Sequence, residues 1–283
     1  MKIGHYQCIC TPGDLAANTA KVIQGMEYAE AEGIGIMAFP ESLLTGYFAM
    51  AHRAREHSLC VDGPEIADLL ARTAPFSATF MVGFNELRGT TLYNTVLVAH
   101  RGKLLGTYSK AFPCFAYFTP GREFPVFEHE GLAFGVVVCA DGGYIEPTRI
   151  LALKGARIVF APHYNYIGKQ GLIAHFMKVR SDHTARAVEN GVWFFRCNNV
   201  VQGHDEGLDR DGVGYGDSYL VDPSGEILVR SRRHEECFVV ADVDLTADGD
   251  PLRRTRESAR ALGSVVMDIV SEPPPPLKAP QER

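Results

Sequence analysis

Gly135-Val136-Val137-Val138-Cys139-Ala140-Asp141 is the stretch on which the reading of the fold turns. Its valines leave neither face polar, which marks a short strand buried on both sides, and it stops abruptly at a cysteine. Ile34-Gly35-Ile36-Met37-Ala38-Phe39 repeats the pattern and stops at Pro40-Glu41, and Arg157 to Ala161 repeats it again before Pro162. Helical periodicity fills the intervals: from Asp14 to a stop at Gly33, then Glu65 to Thr73, Pro147 to Lys154 and Ile173 to Asn190. Ala78 to Phe84 reads as a strand, and Leu92 to Ala99 with Lys103 to Tyr108 as a hairpin. Trp193 to Asn198, Ser218 to Asp222, Glu226 to Ser231 and Phe238 to Val243 are further strands. Alternating elements early and hairpins later predict an α/β fold, with a mixed sheet or two packed sheets flanked by helices.

No repeat or linker interrupts residues 1–265, so a single domain is expected there, followed by a Pro-rich tail over 266–283. The 283 residues are 46% hydrophobic and 22% charged, which excludes wholesale disorder. The net charge of −6 and the lack of a basic run speak against nucleic-acid binding. Arg253, Arg254, Arg256 and Arg260 read as one solvated helix. No apolar run is long enough to span a bilayer, and Met1-Lys2-Ile3-Gly4-His5 does not resemble a signal peptide. A soluble cytoplasmic protein is expected. The seven cysteines include no Cys-x-x-Cys and suit reduced thiols. The histidines show no zinc-site spacing, and Gly212-Val213-Gly214-Tyr215-Gly216 follows no clear strand, so neither metal nor dinucleotide is expected.

Glu41, Lys110 and Cys139 each sit just beyond an apolar run, where ligands bind in open α/β sheets. Singly, each has an ordinary explanation: a solvated edge charge or a small core residue. Together with their neighbours they resemble the nitrilase, or carbon-nitrogen hydrolase, superfamily. The matching stretches are Phe39-Pro40-Glu41-Ser42-Leu43-Leu44-Thr45-Gly46-Tyr47, Tyr108-Ser109-Lys110, Val138-Cys139-Ala140-Asp141 and Arg149-Ile150-Leu151-Ala152-Leu153-Lys154-Gly155-Ala156. Their order and separations agree over roughly residues 1–245.

The resemblance implies a four-layer α-β-β-α sandwich that forms homodimers or higher homo-oligomers and needs no cofactor or metal. It also implies Cys139 as nucleophile, Glu41 as proton carrier, and Lys110 with the Ala140 backbone N–H as oxyanion donors. The superfamily's second glutamate is missing: Ala111 to Thr119 contains no acid, and Tyr117 or water is expected to cover part of its task. Tyr47, Tyr117, His163, Tyr164 and Asn165 are expected to meet the substrate. Carbamoylases of the superfamily carry arginines where this chain has Gly142-Gly143, and true nitrilases show Cys-Trp-Glu where it has Cys139-Ala140-Asp141. A small uncharged amide is therefore the expected substrate, ahead of an N-carbamoyl compound or a nitrile. A fold-retaining binding protein without turnover is the reading from another class.

Overall fold

Two six-stranded sheets carry the chain, and β10 (Val200–Val201) and β11 (Gly214–Tyr215) pair in a two-stranded ribbon. In the computed structural model, which describes residues 1–244 and 253–271, the first sheet runs β14 (Cys237–Asp242), β1 (Lys2–Gln7), β2 (Ile36–Ala38), β3 (Thr79–Arg88), β4 (Thr91–His100), β5 (Lys103–Ser109). The second runs β13 (Ile227–Arg230), β12 (Tyr219–Val221), β9 (Trp193–Asn198), β8 (Ile158–His163), β7 (Leu132–Val136), β6 (Val126–His129). Each has a parallel centre, β1–β2–β3 and β7–β8–β9, with antiparallel strands outside it.

The two-residue period of a strand sorts the apolar runs onto opposite faces. Ile36 and Ala38 meet Phe134, Val136, Val138, Phe160 and Phe195 in a cluster between the sheets. Met37 and Phe39 face the other way, against Val22 and Met26 of α1 (Leu15–Glu32) and Ile66 and Leu69 of α3 (Pro64–Thr73). On the second sheet Val137, Val159 and Ala161 pack outward on Leu151 of α4 (Ile145–Leu153) and Ala187 of α5 (Leu172–Asn190). These three apolar clusters fill three spaces between four layers, which is the α-β-β-α sandwich.

Helix α1 begins and ends as its sequence directs. The Asp14 carboxylate accepts from the Ala17 N–H at 2.9 Å, and Gly33 closes the helix in the left-handed region at φ 67°. A short helix, α2 (Ala51–Glu56), and strand β6 were not expected. The last helix, α6 (Arg253–Ser271), continues through position 266, where the tail was expected to start, and residues 272–283 lie outside the described residues. Among the described residues no helix is long and apolar enough to cross a membrane.

His5 bridges the two sheets, with Nδ1 3.0 Å from the Ala38 carbonyl and Nε2 3.0 Å from that of Asn198. Burial pushes its pKa down from 6.5 to about 4, against the pull of both carbonyls. His175 is lowered to about 4 by the same cause. Below pH 6.5 the unfolded chain therefore takes up protons that the native state refuses. The stability these neutral rings permit is complete above that pH and is lost as pH falls toward 4. Melting temperature should be flat above neutrality and fall across that interval; a flat profile down to pH 4 contradicts this account of the buried rings.

Candidate active site

The ends of β2, β5, β7 and β8 bring their following residues to one place. Glu41 follows β2 in a loop laid across β3, where Leu44 N–H donates to the Gly83 carbonyl at 3.0 Å. A side chain at Gly83 would put its Cβ 2.3 Å from the Ser42 nitrogen and 2.9 Å from the Glu41 Cα, so only glycine lets the loop lie there. Gly121 serves the lysine in the same way. Its N–H donates to the Lys110 carbonyl at 2.9 Å, and a Cβ would fall 2.0 Å from the Ser109 oxygen.

Cys139 opens a one-turn 3-10 helix (Cys139–Gly143) with φ 49°, a backbone strain that non-glycine residues adopt where surrounding contacts enforce it. Asp141 supplies those contacts. Its buried carboxylate accepts from the Val138 N–H at 3.1 Å, the Phe112 N–H at 2.8 Å and the Tyr108 hydroxyl at 2.7 Å. It thereby ties the cysteine turn to the strand and loop that carry Lys110.

Glu41 and Lys110 are both fully buried, with Lys110 Nζ 2.7 Å from Glu41 Oε1. Asn94 Nδ2 donates to the same oxygen at 2.6 Å, and the Tyr164 N–H donates to Oε2 at 2.8 Å. Burial works against the Lys110 charge, but Glu41, Cys139 and Tyr47 outweigh it and hold the ammonium well above its ordinary pKa. Cys139 is pushed up by burial first and the Glu41 carboxylate second, with Lys110 pulling the other way. Burial and the nearby carboxylate both favour the neutral thiol over the thiolate at Cys139.

Cys139 opens onto a cavity of about 690 Å³, whose lining includes neither Glu41 nor Lys110, both without solvent exposure. Of the residues expected to meet substrate, Tyr47, His163, Tyr164 and Asn165 line it, as do Cys139 and Ala140. Two of them are partly committed elsewhere: Tyr164 donates its hydroxyl to Asp205 at 2.8 Å, and His163 Nδ1 lies 2.6 Å from the Ala161 carbonyl. The structure does not bring Tyr117 to the cavity. Its ring stacks behind Phe115, which does line the wall, and its hydroxyl donates to the Phe48 carbonyl. Tyr117 is therefore not free to stand in for the missing glutamate. From the acid-free interval it is Cys114 that approaches the lysine, with Sγ 3.7 Å from Lys110 Nζ, and Cys114 also lines the cavity.

Asn94, Asp141, Cys114 and Arg196 went unassigned in the sequence. For Asn94 a signal existed, since a polar amide in the buried strand Leu92-Tyr93-Asn94-Thr95-Val96 needs a partner. Among the described residues no cluster of three or more histidines, cysteines or carboxylates is arranged to hold a metal ion.

A four-layer sandwich with an acid, an ammonium and a cysteine at its strand ends is the framework of the nitrilase superfamily. The Carbon-nitrogen hydrolase family model matches residues 2–248, and the chain belongs to that family of enzymes. An (R)-stereoselective amidase from Pseudomonas sp is 30% identical over 249 residues, 87% of this chain and 85% of that protein. N-carbamoylputrescine amidase from Arabidopsis thaliana is 28% identical over 263 residues, 87% and 86% of the respective chains. Glutamine-dependent NAD(+) synthetase from Thermotoga maritima is 29% identical over 262 residues, but the match covers only 43% of that longer protein. Among solved structures, an active-site variant of the amidase from Nesterenkonia sp. AN1 in complex with butyramide superposes with a TM-score of 0.73 at 21% identity, covering 94% of this chain and 96% of that one.

Proposed function

We propose that this protein hydrolyses small uncharged amides to the carboxylic acid and ammonia through a thioester on Cys139. The observation that carries the reading is the buried Glu41–Lys110 pair set beside the Cys139 thiol at the cavity. The Cys139 proton passes to Glu41 as sulfur bonds to the amide carbon. Lys110 and the Ala140 N–H receive the developing oxyanion. Collapse breaks the C–N bond, and Glu41 returns its proton to the departing ammonia. Water then attacks the thioester and yields a proton to Glu41; the C–S bond breaks and the thiol is restored.

The Gly143 edge of the cavity supports an uncharged substrate. Gly143 carries no side chain to hold a substrate carboxylate, and a Cβ there would lie 3.3 Å from the Asp182 carboxylate. Asp182 is itself paired with Lys178 at 2.8 Å, which leaves that edge without net charge. Arg210 keeps its positive charge on another part of the wall, where it donates to the Tyr166 carbonyl at 2.6 Å. Amidases among the relatives, and the butyramide held by the Nesterenkonia amidase, support the same class.

Incubation with aliphatic amides, ureido acids and nitriles, assayed for ammonia and carbon dioxide, tests the proposal. Amides should release ammonia and acid in equal amounts, and added hydroxylamine should trap the acyl group. Carbon dioxide from ureido acids at a higher rate would make the protein a carbamoylase. No turnover, with no acyl adduct on Cys139 after acid quench, would leave it a binding protein.

A further inference from the structure

Behind Cys139 stands a buried cation that the reaction as written does not use. Arg196, at the centre of β9, has no solvent exposure at all, and burying a guanidinium is costly. Its donors go to uncharged acceptors. Nε donates to the Asp217 carbonyl at 3.0 Å, and Nη2 reaches the Tyr215 hydroxyl and the Gly216 carbonyl, each at 3.3 Å. Both Nη1, at 3.0 Å, and Nη2, at 2.9 Å, converge on one atom, Oδ1 of Asn165.

That convergence fixes which way the amide faces. A guanidinium only donates, so the Asn165 atom against it must be the oxygen and the opposite one the NH2. The Asn165 Nδ2 lies 3.5 Å from Cys139 Sγ. The backbone allows no escape, because the Asn165 N–H donates to Asn198 Oδ1 at 3.1 Å and Asn199 Oδ1 at 2.9 Å. Parallel pairing of β8 with β9, Ala161 opposite Arg196 and His163 opposite Asn198, sets the spacing.

We propose that Asn165 is a catalytic residue that donates a hydrogen bond to the Cys139 thiolate, and that Arg196 is the positioning residue that holds its amide in the donating orientation. The assignment rests on Cys139 being the nucleophile. It gives Asn165 a task other than the substrate contact its place on the cavity wall suggests. A donor on sulfur lowers the cost of the thiolate and favours attack, and the same donor assists departure of sulfur when the thioester hydrolyses. Arg196 polarises the amide and strengthens that donor.

The test measures thiol acidity apart from amide turnover. Methyl methanethiosulfonate carries no amide, and its modification of Cys139, followed by peptide mass analysis against pH, reads the thiolate directly. Asn165→Leu keeps the volume and removes the donor on sulfur without placing a charge beside it, so a shift reads the lost hydrogen bond and not repulsion. Its midpoint should rise by about one pH unit or more and its modification rate at neutral pH should fall about tenfold or more. kcat should fall with it while KM moves little. Arg196→Met frees the amide and should shift the midpoint in the same direction, with Arg196→Lys restoring part of it. Should Asn165→Leu not fold with the guanidinium left facing it, Asn165→Leu combined with Arg196→Met decides. An unchanged midpoint in the folded variant, with KM raised instead, overturns the proposal and leaves Asn165 a substrate contact. Wild-type protein inactive on amides, with the midpoint still shifted in Asn165→Leu, would sink the amidase reading and keep this one.

Discussion

Cys139→Ala and Cys139→Ser should lose amide turnover by more than about 10⁴-fold while the protein stays folded. The loss is large because the groups around the sulfur act as a unit. In the proposed reaction Glu41 has a proton to take only if a thiol offers one, and Lys110 stabilises an oxyanion only after the carbon has been attacked. A serine hydroxyl, far less acidic than a thiol, does not rescue the step beside a base that is already bound to Lys110 at 2.7 Å. The fold should tolerate the change, since the strained turn is held by Asp141 and not by the sulfur. Cys139→Gly should even gain up to about 1 kcal/mol of stability, because glycine takes φ 49° without strain. Ammonia release and thermal melting on the same preparations separate the two effects. Cys114, the other thiol on the cavity wall, offers the sharpest alternative. A Cys139→Ala protein that still forms an acyl adduct on Cys114, or turns over at the normal rate, removes Cys139 from the chemistry.

The strand ends were legible because burial on two faces writes itself as an unbroken apolar run. Ile36 and Met37 look alike in sequence, yet one faces the second sheet and the other faces helix α1. Nothing local says which layer will cover which face, so the four-layer arrangement came from family resemblance and not from periodicity. Strand β6, only Val126-Phe127-Glu128-His129, is too short for a period to emerge. The same division holds at the site. Glu41, Lys110 and Cys139 could be read from motifs in order, because each is a titratable side chain just beyond a strand. Asn94, Asp141 and Arg196 could not, because their meaning is relational: Asn94 reaches across 53 positions to Glu41, and Arg196 across 31 to Asn165. Tyr117 shows the opposite error, an aromatic of suitable chemistry in a suitable loop whose hydroxyl is taken by the Phe48 carbonyl.

Lys110→Met should reduce turnover at least about a hundredfold and destabilise the protein by about 3–5 kcal/mol, and a second substitution should separate the two losses. Lys110 and Glu41 form an ion pair with neither side chain exposed. Removing the ammonium leaves a buried carboxylate with only Asn94 and the Tyr164 N–H as donors. Such an orphaned charge costs more than the intact pair contributes, since both ions had already lost their water. In Lys110→Met with Glu41→Gln the stranded charge is gone, so much of the stability should return. The new amide can be paired, its oxygen accepting from the Tyr164 N–H and its NH2 donating to Asn94 Oδ1, unpartnered among the described residues, once that side-chain amide turns over. Activity should not return, because the oxyanion still lacks its cation and the thiol lacks its base. Denaturant melts and ammonia release on the two single variants and the double variant give the coupling between these residues directly. Normal turnover in Lys110→Met would take the lysine out of the mechanism. A double variant no more stable than Lys110→Met would show that the pair is held by packing and not by its charges.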